Sequence, residues 1–435
     1  MQKRTPAAGM RLNLRAWPAL IGLLVVLQLA FPSRAWAALL AMLGGAWAIS
    51  FLWARSLARN LQLTHEMRFG WAQVGDRLQE RFMLVNRGWA PGLWVEVVDH
   101  STIPGYQTNQ ATSVGYLDTV RWRTDSVCAR RGLYTLGPTS LHTGDPLGLY
   151  TVRLHYPETA FLMVMPPIVP LPGIEIAPGG RAGEGRSLRP SALERTASAA
   201  GARDYQPGDN PKWIHWPTSA HHEALFVRLF DSTPASDWWI FLDLEQRVQV
   251  GQGWDSTEEH GVLLAASLAD RGLRAGHAVG LVAQGKDLVW LPPQCAQGQR
   301  IEILRALALA TAGEHPLGDL LARARPAFRR GASLVIITPA VDGEWIAPLL
   351  PLLKGSVAPT VLLLDPASFG GSGDVGQVQA LLADLGVVPY VVTPDLLDRP
   401  EARPGTRGQW EWRFLPDGRA IPVRQPGDLR WRRMA

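Results

Sequence analysis

Two acidic side chains at the end of an apolar run have the chemistry to bind a metal ion or to move a proton. In the segment WWIFLDLEQR, Asp243 ends the apolar run and Glu245 stands two positions later. A Mg²⁺ site of the Asp-x-Ser-x-Ser type adds two serine hydroxyls, because hard cations prefer oxygen ligands. Glu245 and Arg247 occupy the serine positions here. We therefore expect Asp243 and Glu245 to cap backbone groups or to form salt bridges, and a bound cation is the alternative.

A glycine-rich segment has the spacing of a dinucleotide-binding turn. Gly371, Gly373 and Gly376 spell GxGxxG ahead of a helical stretch, and Asp395 lies about 20 residues further on, where such sites place an acidic residue. That turn must be tight for the pyrophosphate to reach the helix N-terminus. Residues 366–370 intervene after the preceding strand. The pattern therefore favours a flexible surface loop over a nucleotide site.

A histidine cluster contains His215, His221 and His222 beside Glu223, and it suggests zinc. No further Cys or His at ligand spacing completes four ligands, so these side chains are expected to face solvent or to satisfy loop groups. The sequence also contains no Walker lysine motif, no GxSxG elbow and no HExxH helix. These patterns disfavour an enzyme of a familiar class, and we predict no cofactor.

Length and charge limit the class of protein. At 435 residues the chain exceeds a single core, which stops growing at roughly 250–300 residues, so two soluble domains plus an anchor are expected. The net charge of +5 is mild and the basic residues are scattered, which argues against nucleic-acid binding. With two cysteines there is no disulfide framework, as suits a reducing compartment.

Residues 17–54 predict a helical hairpin in the lipid bilayer. Residues 17–31 are uncharged and apolar, and residues 35–54 form a second run of the roughly 20 residues that span a bilayer as a helix. Only residues 32–34 separate the two runs. Basic residues flank the pair on both outer sides: Lys3, Arg4, Arg11 and Arg15 before it, and Arg55, Arg59 and Arg68 after it. The positive-inside rule then places both termini in the cytoplasm of a bacterium, with the chain multi-pass in the inner membrane.

A cleaved signal peptide over residues 1–37 is the competing interpretation of this region. A basic start, an apolar stretch and the small-residue pattern at 35–37 fit that description. The second apolar run, followed by Arg55 and Arg59, would then act as a stop-transfer helix. The body is expected in the cytoplasm in either case.

The rest of the chain divides by pattern into four parts. Residues 61–170 alternate apolar and polar positions between Gly, Pro and Asn turns, which predicts a β-sandwich-like domain. Residues 171–235 form a connector rich in Gly, Arg, Ser and Pro that ends in a tryptophan-containing signature. Residues 236–400 alternate apolar strands with helical stretches. Residues 401–435 form an Arg- and Trp-rich tail.

The strand and helix alternation over 236–400 predicts an α/β domain. Apolar runs at 238–244, 333–337 and 360–364 are typical of a mostly parallel sheet that is covered on both faces. This arrangement resembles a von Willebrand factor A-like domain. In the tail, the turn residues at 416–418 predict a hairpin. The predicted fold class is therefore multidomain, with a transmembrane helical hairpin, a β-sandwich-like domain and this α/β domain.

The signature lies in residues 201–231, which read GARDYQPGDNPKWIHWPTSAHHEALFVRLFD. It resembles the family catalogued as domain of unknown function fifty-eight. The matching positions are Arg203, Tyr205, Pro207, Gly208, Asp209, Ile214, His215, Trp216, Ser219 and Ala220. The upstream segments RRGLYTLGP and DPLGL and the pair of apolar N-terminal runs are also similar, so the resemblance extends over nearly the whole chain.

The resemblance implies a partner role. Members of the family resemble one another in being encoded beside MoxR-type AAA+ ATPases and in carrying the von Willebrand-like half, and their biochemical activity is not established. This sequence departs from the family at Lys212, where an arginine is usual, and at Pro217 and His221, where basic residues are frequent. Lysine keeps the charge but loses the bidentate fork of a guanidinium, which weakens the case for an anion site.

The signature has a structural and a functional interpretation, and the two are compatible. In the structural one, Asp209 caps a turn, Arg203 pairs with it or with a carbonyl, and Tyr205, Trp213 and Trp216 pack against the sheet. In the functional one, the same segment is a surface that docks a partner or contacts a ligand.

Our leading hypothesis is a non-enzymatic, membrane-anchored interaction or adaptor protein that works with a MoxR-type AAA+ ATPase in assembly or remodelling. The alternative is a metal-dependent hydrolase that uses Asp243, Glu245 and Asp209 as ligands or acid/base groups. A third hypothesis is a cell-envelope factor whose Arg430, Arg432 and Arg433 contact anionic lipid.

Overall fold

The computed structural model divides the chain into two compact units. The first unit contains residues 1–165 and 400–435, and the second contains residues 166–399. The structure describes residues 7–67, 71–106, 108–169, 171, 174–178, 199–205, 214–222, 224–230, 237–296, 298–329, 331–355, 357–396, 411–414, 420–424 and 432–433.

Two apolar helices stand near the N-terminus of the first unit. Helix α1 is Ala16–Ala30 and helix α2 is Arg34–Asn60, and the Ser33 hydroxyl caps α2 by accepting a hydrogen bond from the Trp36 backbone N–H. Among the described helices, α2 is the one long and apolar enough to cross a membrane, and α1 is shorter. The last turns of α2 differ from the rest of the helix, because Ala54 and Leu57 are fully buried against strands. Helix α2 therefore runs beyond the predicted apolar segment and into a protein core.

Strands make up most of the rest of the first unit. They are β1 (Ala7–Leu12), β2 (Leu61–Met67), β3 (Trp71–Gln73), β4 (Arg77–Asn86), β5 (Gly92–Asp99), β6 (Gln110–Val114), β7 (Thr119–Val127), β8 (Gly132–Leu136), β9 (Thr139–Gly144), β10 (Tyr150–Tyr156), β11 (Ala160–Met165), β22 (Glu411–Phe414), β23 (Ala420–Arg424) and β24 (Arg432–Arg433). They form a five-stranded sheet ordered β1-β10-β9-β5-β6, a four-stranded sheet ordered β24-β2-β4-β7, a three-stranded sheet ordered β3-β11-β8, and the hairpin β22-β23.

The five-stranded and four-stranded sheets, here called the sheet pair, share one hydrophobic core. Along β4 every second residue is buried, which is the alternation expected of a strand with one face on a core. Val95 and Leu154 from one sheet meet Phe82 and Leu84 from the other, and Ala54 of α2 joins them. The first unit is thus a mostly β structure built around α2.

Strand β1 corrects the prediction that residues 1–60 belong wholly to the anchor. Residues 7–12 pair antiparallel with β10, from Ala7 opposite His155 to Leu12 opposite Tyr150. The strand is almost entirely exposed, so its sequence carries no alternation between buried and solvent-facing positions. A pairing partner some 140 residues away in the chain leaves no local signal.

The C-terminal tail corrects a second boundary, because residues 400–435 belong to the first unit instead of forming a separate segment. Strand β24 pairs antiparallel with β2, with Arg433 opposite Glu66. Strands β22 and β23 form the expected hairpin, and its turn residues at 416–418 lie outside the described residues.

The second unit alternates strands with helices. Its strands are β12 (Ala199–Asp204), β13 (Phe226–Phe230), β14 (Trp238–Asp243), β15 (Gly251–Gln252), β16 (Asp255–Ser256), β17 (Val279–Gln284), β18 (Leu288–Gln294), β19 (Ser333–Thr338), β20 (Ala358–Leu364) and β21 (Tyr390–Val392). Its helices are α3 (Trp216–His222), α4 (Thr257–Arg274), α5 (Gln299–Leu309), α6 (Leu317–Ala324), α7 (Ile346–Lys354) and α8 (Val375–Asp384). Short 3₁₀ turns occur at Arg325–Ala327, Pro366–Phe369 and Pro394–Leu396.

A six-stranded sheet ordered β18-β17-β14-β19-β20-β21 forms the centre of this unit. Strands β17, β14, β19, β20 and β21 are parallel to their neighbours, and the edge strand β18 is antiparallel to β17. Every residue of β14, β17 and β19 is buried, which explains their continuous apolar sequences. Helices α6, α7 and α8 pack with Trp239 and Phe241 on one face of β14. Helix α4 brings Gly261 against Leu242 on the other face.

Part of the predicted connector is fixed to this sheet. The Ala177 backbone N–H donates to Thr360 Oγ1 at 2.8 Å, and its carbonyl accepts from Ser333 Oγ at 2.7 Å. The Glu175 N–H donates to the Tyr390 hydroxyl at 3.1 Å. Residues 174–178 thus cross the amino ends of β19, β20 and β21. The glycine- and arginine-rich residues 179–198 lie outside the described residues.

Candidate functional site

The carboxyl edge of the six-stranded sheet brings two polar strand ends together. Asp243 is the last residue of β14 and Thr338 the last residue of the neighbouring strand β19. The Thr338 hydroxyl donates to Asp243 Oδ2 at 2.6 Å, and the Glu245 backbone N–H donates to Asp243 Oδ1 at 3.0 Å. Only 2% of Asp243 is exposed. Both carboxylate oxygens therefore have donors within the protein.

Burial raises the pKa of Asp243 to about 6, because a charged carboxylate loses its hydration there. The hydrogen bonds from Thr338 and from the Glu245 backbone act in the opposite direction, since they stabilise the charged form. The nearby carboxylates of Glu245 and Asp342 raise the pKa further by repulsion. A carboxyl group with a raised pKa at a strand end is a feature shared by many functional sites.

This shift predicts a pH-dependent stability. The folded-state pKa of Asp243 is above the value of 3.8 for the free side chain, so the folded protein holds its proton more tightly than the unfolded chain. The free energy of unfolding should therefore fall as pH rises from about 4 to about 6, by no more than roughly 3 kcal/mol, and then level off. Asp243→Asn should lack this fall.

Denaturant unfolding of the full chain in detergent across that pH interval measures the difference between wild type and Asp243→Asn. Asp374→Asn is the matched control, because Asp374 is an exposed carboxylate that caps α8 in the same unit. The control should keep the pH profile of wild type. An identical profile for Asp243→Asn and wild type would show that the buried carboxyl does not titrate in this interval.

Glu245 is bound by a guanidinium. Its side chain is 6% exposed, and Arg247 Nε and Nη2 both bind Glu245 Oε1 from a mostly solvent-exposed position. Asp243 thus caps a backbone N–H and Glu245 forms a salt bridge. Over the described residues there is no group of three or more His, Cys, Asp or Glu side chains placed to hold a metal ion. Asp209, the third carboxylate of the hydrolase hypothesis, lies outside the described residues.

The glycine-rich segment at 371–376 forms a different structure from a phosphate-binding turn. The 3₁₀ turn Pro366–Phe369 separates β20 from the glycines. The Asp374 carboxylate accepts a hydrogen bond from the Gly376 N–H at 2.8 Å and so caps α8. A carboxylate at this position repels a pyrophosphate instead of leaving the N–H free to bind it. Asp395 is exposed on the turn after β21.

The signature builds a small βαβ element with two antiparallel strands. Strands β12 and β13 pair antiparallel, with the backbone of Arg203 opposite Val227, and the Tyr205 N–H donates to the Leu225 carbonyl at 2.7 Å. After the intervening residues the chain returns to β13. There Ile214 bridges to Val227, and the His215 N–H donates to the Phe226 carbonyl at 2.7 Å.

Helix α3 closes this element. The Ser219 hydroxyl accepts a hydrogen bond from the Phe226 N–H at 2.8 Å, and both Ile214 and Ser219 are buried. Pro207, Gly208 and Asp209 lie outside the described residues, as do the side chain of Arg203 and all of Glu223. The predicted cap by Asp209 and its pairing with Arg203 are therefore not part of the described structure.

Trp216 corrects the expectation that it packs inward, whereas Tyr205 is half-buried and Trp213 lies outside the described residues. Trp216 is the first residue of α3, and 66% of it is exposed. Ile214 and Ser219 make the contacts with β13, which leaves the indole at the surface. His221 on the same helix is exposed and His215 is half-buried. An exposed tryptophan beside a fixed backbone is a typical anchor for a binding partner.

Thr338 is not among the site residues that the sequence predicts. Its signal is the same as that of Asp243: it is the first polar residue after a buried apolar run. Because the carboxyl ends of parallel strands meet at one edge of a sheet, the polar residues that end neighbouring strands can be grouped from their positions in the sequence.

One sequence family model is similar to part of this chain. The model described as "Protein of unknown function DUF58" matches residues 201–368, which contain the signature and most of the six-stranded sheet. The uncharacterized protein Rv1480 of Mycobacterium tuberculosis is 27% identical over 206 residues, which cover 45% of this chain and 64% of that protein. The uncharacterized protein YeaD of Bacillus subtilis is 30% identical over 112 residues, 26% of each chain. This chain therefore spans 64% of the length of its mycobacterial relative.

Solved structures give weaker likenesses. The SpRpn10 VWA domain aligns with a TM-score of 0.28 and 14% identity, over 37% of this chain and 93% of that one. The CARDB domain of the PF1109 protein from Pyrococcus furiosus aligns with a TM-score of 0.18 and 12% identity, over 24% of this chain and 89% of that one. Neither TM-score is high enough to bear on function.

Proposed function

We propose that the protein is a membrane-anchored interaction protein whose cytoplasmic body presents the signature to a partner, a MoxR-type AAA+ ATPase. The observation that carries the interaction role is Trp216, which is 66% exposed at the start of α3 although the backbone around it is fixed by β12 and β13. Exposed aromatic side chains on rigid elements cost little entropy when they are bound. The class of partner follows from the family resemblance of the signature.

Helices α1 and α2 form the proposed anchor, a multi-pass hairpin in the bacterial inner membrane. Large apolar side chains are exposed along both helices: Leu20, Leu23, Val25, Val26, Leu29 and Phe31 on or beside α1, and Leu39, Met42, Ile49 and Leu52 on α2. Water solvates such a surface poorly, whereas lipid does not penalise it. The basic residues on the outer sides of the hairpin support a cytoplasmic body.

Strand β1 supports the hairpin over a cleaved signal peptide. It precedes α1, and it pairs with β10 in the body. The proposed hairpin agrees with this pairing, because it leaves the chain before the first helix and the chain after the second helix on the same side of the bilayer. Cleavage after residue 37 would remove β1 from the five-stranded sheet and Trp17 from its contact with the core.

We infer a von Willebrand factor A-like arrangement for the second unit. The supporting features are the strand order β18-β17-β14-β19-β20-β21, the single antiparallel edge strand and the helices on both faces. Asp243 would then stand where such domains begin a metal site, with Glu245 and Arg247 in place of the serines.

A metal-dependent hydrolase is the second candidate, favoured by the raised pKa of Asp243. In this candidate a divalent cation displaces Arg247 from Glu245. Addition of Mg²⁺ to the full chain in detergent tests it through the thermal unfolding midpoint. A rise in Tm that Asp243→Asn abolishes would favour the hydrolase over the adaptor.

The adaptor is tested by capture from the native host. Full-length protein is purified from carbonate-washed membranes after mild crosslinking, and the recovered proteins are identified by mass spectrometry. Wild type should recover an AAA+ ATPase, and Trp216→Ala should recover at least about tenfold less, as expected for a tryptophan at the centre of an interface. Leu381→Ala is the matched control, because Leu381 is 49% exposed on α8 and lies outside the signature.

The outcomes distinguish a failure of the proposed anchor from a failure of the proposed adaptor role. If the protein is absent from the washed membranes, the anchor is wrong. If it is present but no ATPase is recovered, the adaptor role is wrong. If Trp216→Ala and Leu381→Ala both behave as wild type, the ATPase docks away from α3, and Arg203→Ala and Asp209→Ala then test the rest of the signature.

A further inference from the structure

Exposed apolar side chains gather at one end of the sheet pair. Leu14, Trp89, Leu93, Trp94, Tyr116, Leu117 and Leu147 are each between 45% and 71% exposed. They lie on four connections, β1 to α1, β4 to β5, β6 to β7 and β9 to β10, or on the first residues of a following strand. In a water-soluble protein, connections of this kind are usually polar.

The strand registers place these connections at a single end. Leu61, the first residue of β2 directly after α2, lies opposite Asn86 at the end of β4. Gly92 at the start of β5 lies opposite Val114 at the end of β6. The end of β9 and the start of β10 pair with each other, and Leu12 at the end of β1 lies opposite Tyr150. The four connections, the start of α1 and the end of α2 therefore share one end of the sheet pair, here called the helix end.

Hydrogen bonds hold these connections in place. Asn86 Nδ2 donates to the carbonyls of Ala90 and Gly115, both at 2.8 Å, and joins two of the connections. Trp53 of α2 donates from Nε1 to the Pro91 carbonyl at 3.1 Å and meets Trp89 edge to face. Leu117 has a φ of 48°, a left-handed conformation that is costly for leucine. The structure thus presents these apolar side chains outward on a fixed frame.

Charge at the helix end complements a lipid headgroup layer. Arg15, Arg55, Arg59 and Arg87 are exposed around the two helices, and Asp118 is the exposed acid on the same connections. Aromatic and long apolar side chains surrounded by arginines are typical of segments at the boundary between water and an anionic bilayer.

If the two helices cross the bilayer, their short length requires the helix end of the sheet pair to contact it. Helix α1 has 15 residues, or about 22 Å at 1.5 Å per residue. Trp17 and Trp47 already pack against the core of the sheet pair, so residues 34–46 are the part of α2 that extends beyond it, about 20 Å. The hydrocarbon layer is about 30 Å thick. A hairpin this short spans it only if the helix end lies in the interface and the bilayer thins around it.

We propose that the helix end of the sheet pair is a second membrane contact, in which Trp89, Leu93, Trp94, Tyr116 and Leu117 insert among the headgroups of an anionic lipid surface. This contact rests on the proposed anchor and adds to it. The anchor tethers the chain, whereas the helix end fixes the orientation of the body against the membrane.

Strand β7 provides a matched pair of positions for the test. Tyr116 lies three residues before the start of β7, at the helix end and 69% exposed. Val127 is the last residue of β7, at the opposite end and 47% exposed. The two positions are separated by the length of the strand, about 30 Å at roughly 3.3 Å per residue. Each is changed singly to cysteine in the full-length protein carrying Cys295→Ser, because Cys295 is exposed and Cys128 is buried.

An environment-sensitive NBD dye on each cysteine is read after reconstitution into vesicles of phosphatidylcholine and phosphatidylglycerol. At Tyr116→Cys, the emission should shift to the blue and should lose intensity when the vesicles contain lipid with a doxyl quencher near the headgroup. At Val127→Cys, the emission should remain that of dye in water. Leu147→Cys repeats the measurement on a different connection. In vesicles of phosphatidylcholine alone, the quenching at Tyr116→Cys should weaken, since the arginines lose their anionic partners.

The proposal is overturned if the protein floats with the vesicles while Tyr116→Cys and Leu147→Cys both report water. The anchor would stand in that case. Equal quenching at Tyr116→Cys and Val127→Cys would also overturn it, because the body would then lie along the membrane and not on its helix end. If the protein does not float with the vesicles, both this contact and the proposed anchor are wrong.

Discussion

Gly285→Ala is expected to open the carboxyl edge of the six-stranded sheet, lowering the local free energy of unfolding by about 4 kcal/mol. Gly285 follows β17, where the chain after α5 crosses it closely. A Cβ atom at this position would lie 1.7 Å from the Thr311 carbonyl oxygen. That oxygen accepts a hydrogen bond from the Lys286 N–H at 3.2 Å, so relief of the clash also breaks a backbone contact. The obstacle is backbone, which cannot move aside as a flexible side chain does.

Hydrogen–deuterium exchange of the full chain in detergent measures this effect region by region. Peptides from β14 and β17 should exchange faster in Gly285→Ala, because the turn after β14 is also held by the crossing segment: the Gly313 N–H donates to the Leu244 carbonyl at 2.9 Å. Gly298→Ala is the control, since a Cβ there meets open space and its φ of −73° suits alanine. Unchanged exchange in Gly285→Ala would show that the two backbones separate easily in solution.

Leu57→Ala is expected to destabilise the sheet pair by about 3–4 kcal/mol, although the leucine belongs to the helix that includes the proposed anchor. Leu57 is fully buried, and it faces the start of β5 at Gly92. Truncation removes apolar contacts and leaves a cavity that the surrounding strands can fill only in part. Leu52→Ala is the matched control five residues earlier, because Leu52 is 54% exposed on the same helix.

Hydrogen–deuterium exchange measures this loss of stability. Peptides of β4 and β10 should exchange faster in Leu57→Ala than in wild type. Those strands belong to the two sheets whose core includes Ala54 of the same helix. Leu52→Ala should leave both peptides unchanged in detergent. Equal exchange in all three proteins would mean that the last turns of α2 do not belong to the core of the first unit.

The sequence predicts well the elements that local pattern determines. Strand β19 covers residues 333–338 where the apolar run predicts 333–337, and β20 covers 358–364 where the run predicts 360–364. Both are fully buried over those shared residues, so a continuous apolar run identifies them without ambiguity. The two apolar helices likewise occur close to their predicted positions.

The sequence does not predict strands whose pairing partners are distant in the chain, and it misplaces the end of α2. Strand β1 is recognisable only through β10, and β24 only through β2. The sequence predicts that the end of α2 flanks the membrane, because Arg55 and Arg59 interrupt the apolar pattern around Ala54 and Leu57. A stripe with period 3.6 and arginines on its solvent side is typical of a helix on a protein core.

For the candidate site, residue type and position in the sequence predict which residues lie at the sheet edge, but they do not predict the direction in which a side chain points. The polar ends of β14 and β19 can be found from the sequence, since each directly follows an apolar run. Whether an aromatic residue in the signature faces inward cannot be found in this way, because tryptophan is common both in cores and on binding surfaces. Trp216 is exposed because Ile214 and Ser219, which are close to it in the chain, make the contacts with β13.

The pairing of β24 with β2 bears on how the chain folds as it leaves the ribosome. The second unit is an insertion within the first, whose strands come from residues before 165 and after 400. During synthesis, the outer edge of β2 at Glu66 and Met67 has no partner until Arg432 and Arg433 have been made. An open edge in a nascent chain invites pairing with a neighbouring polypeptide. Chains that stop short of Arg432 should therefore self-associate through the first unit, even though all residues of the inserted unit are present.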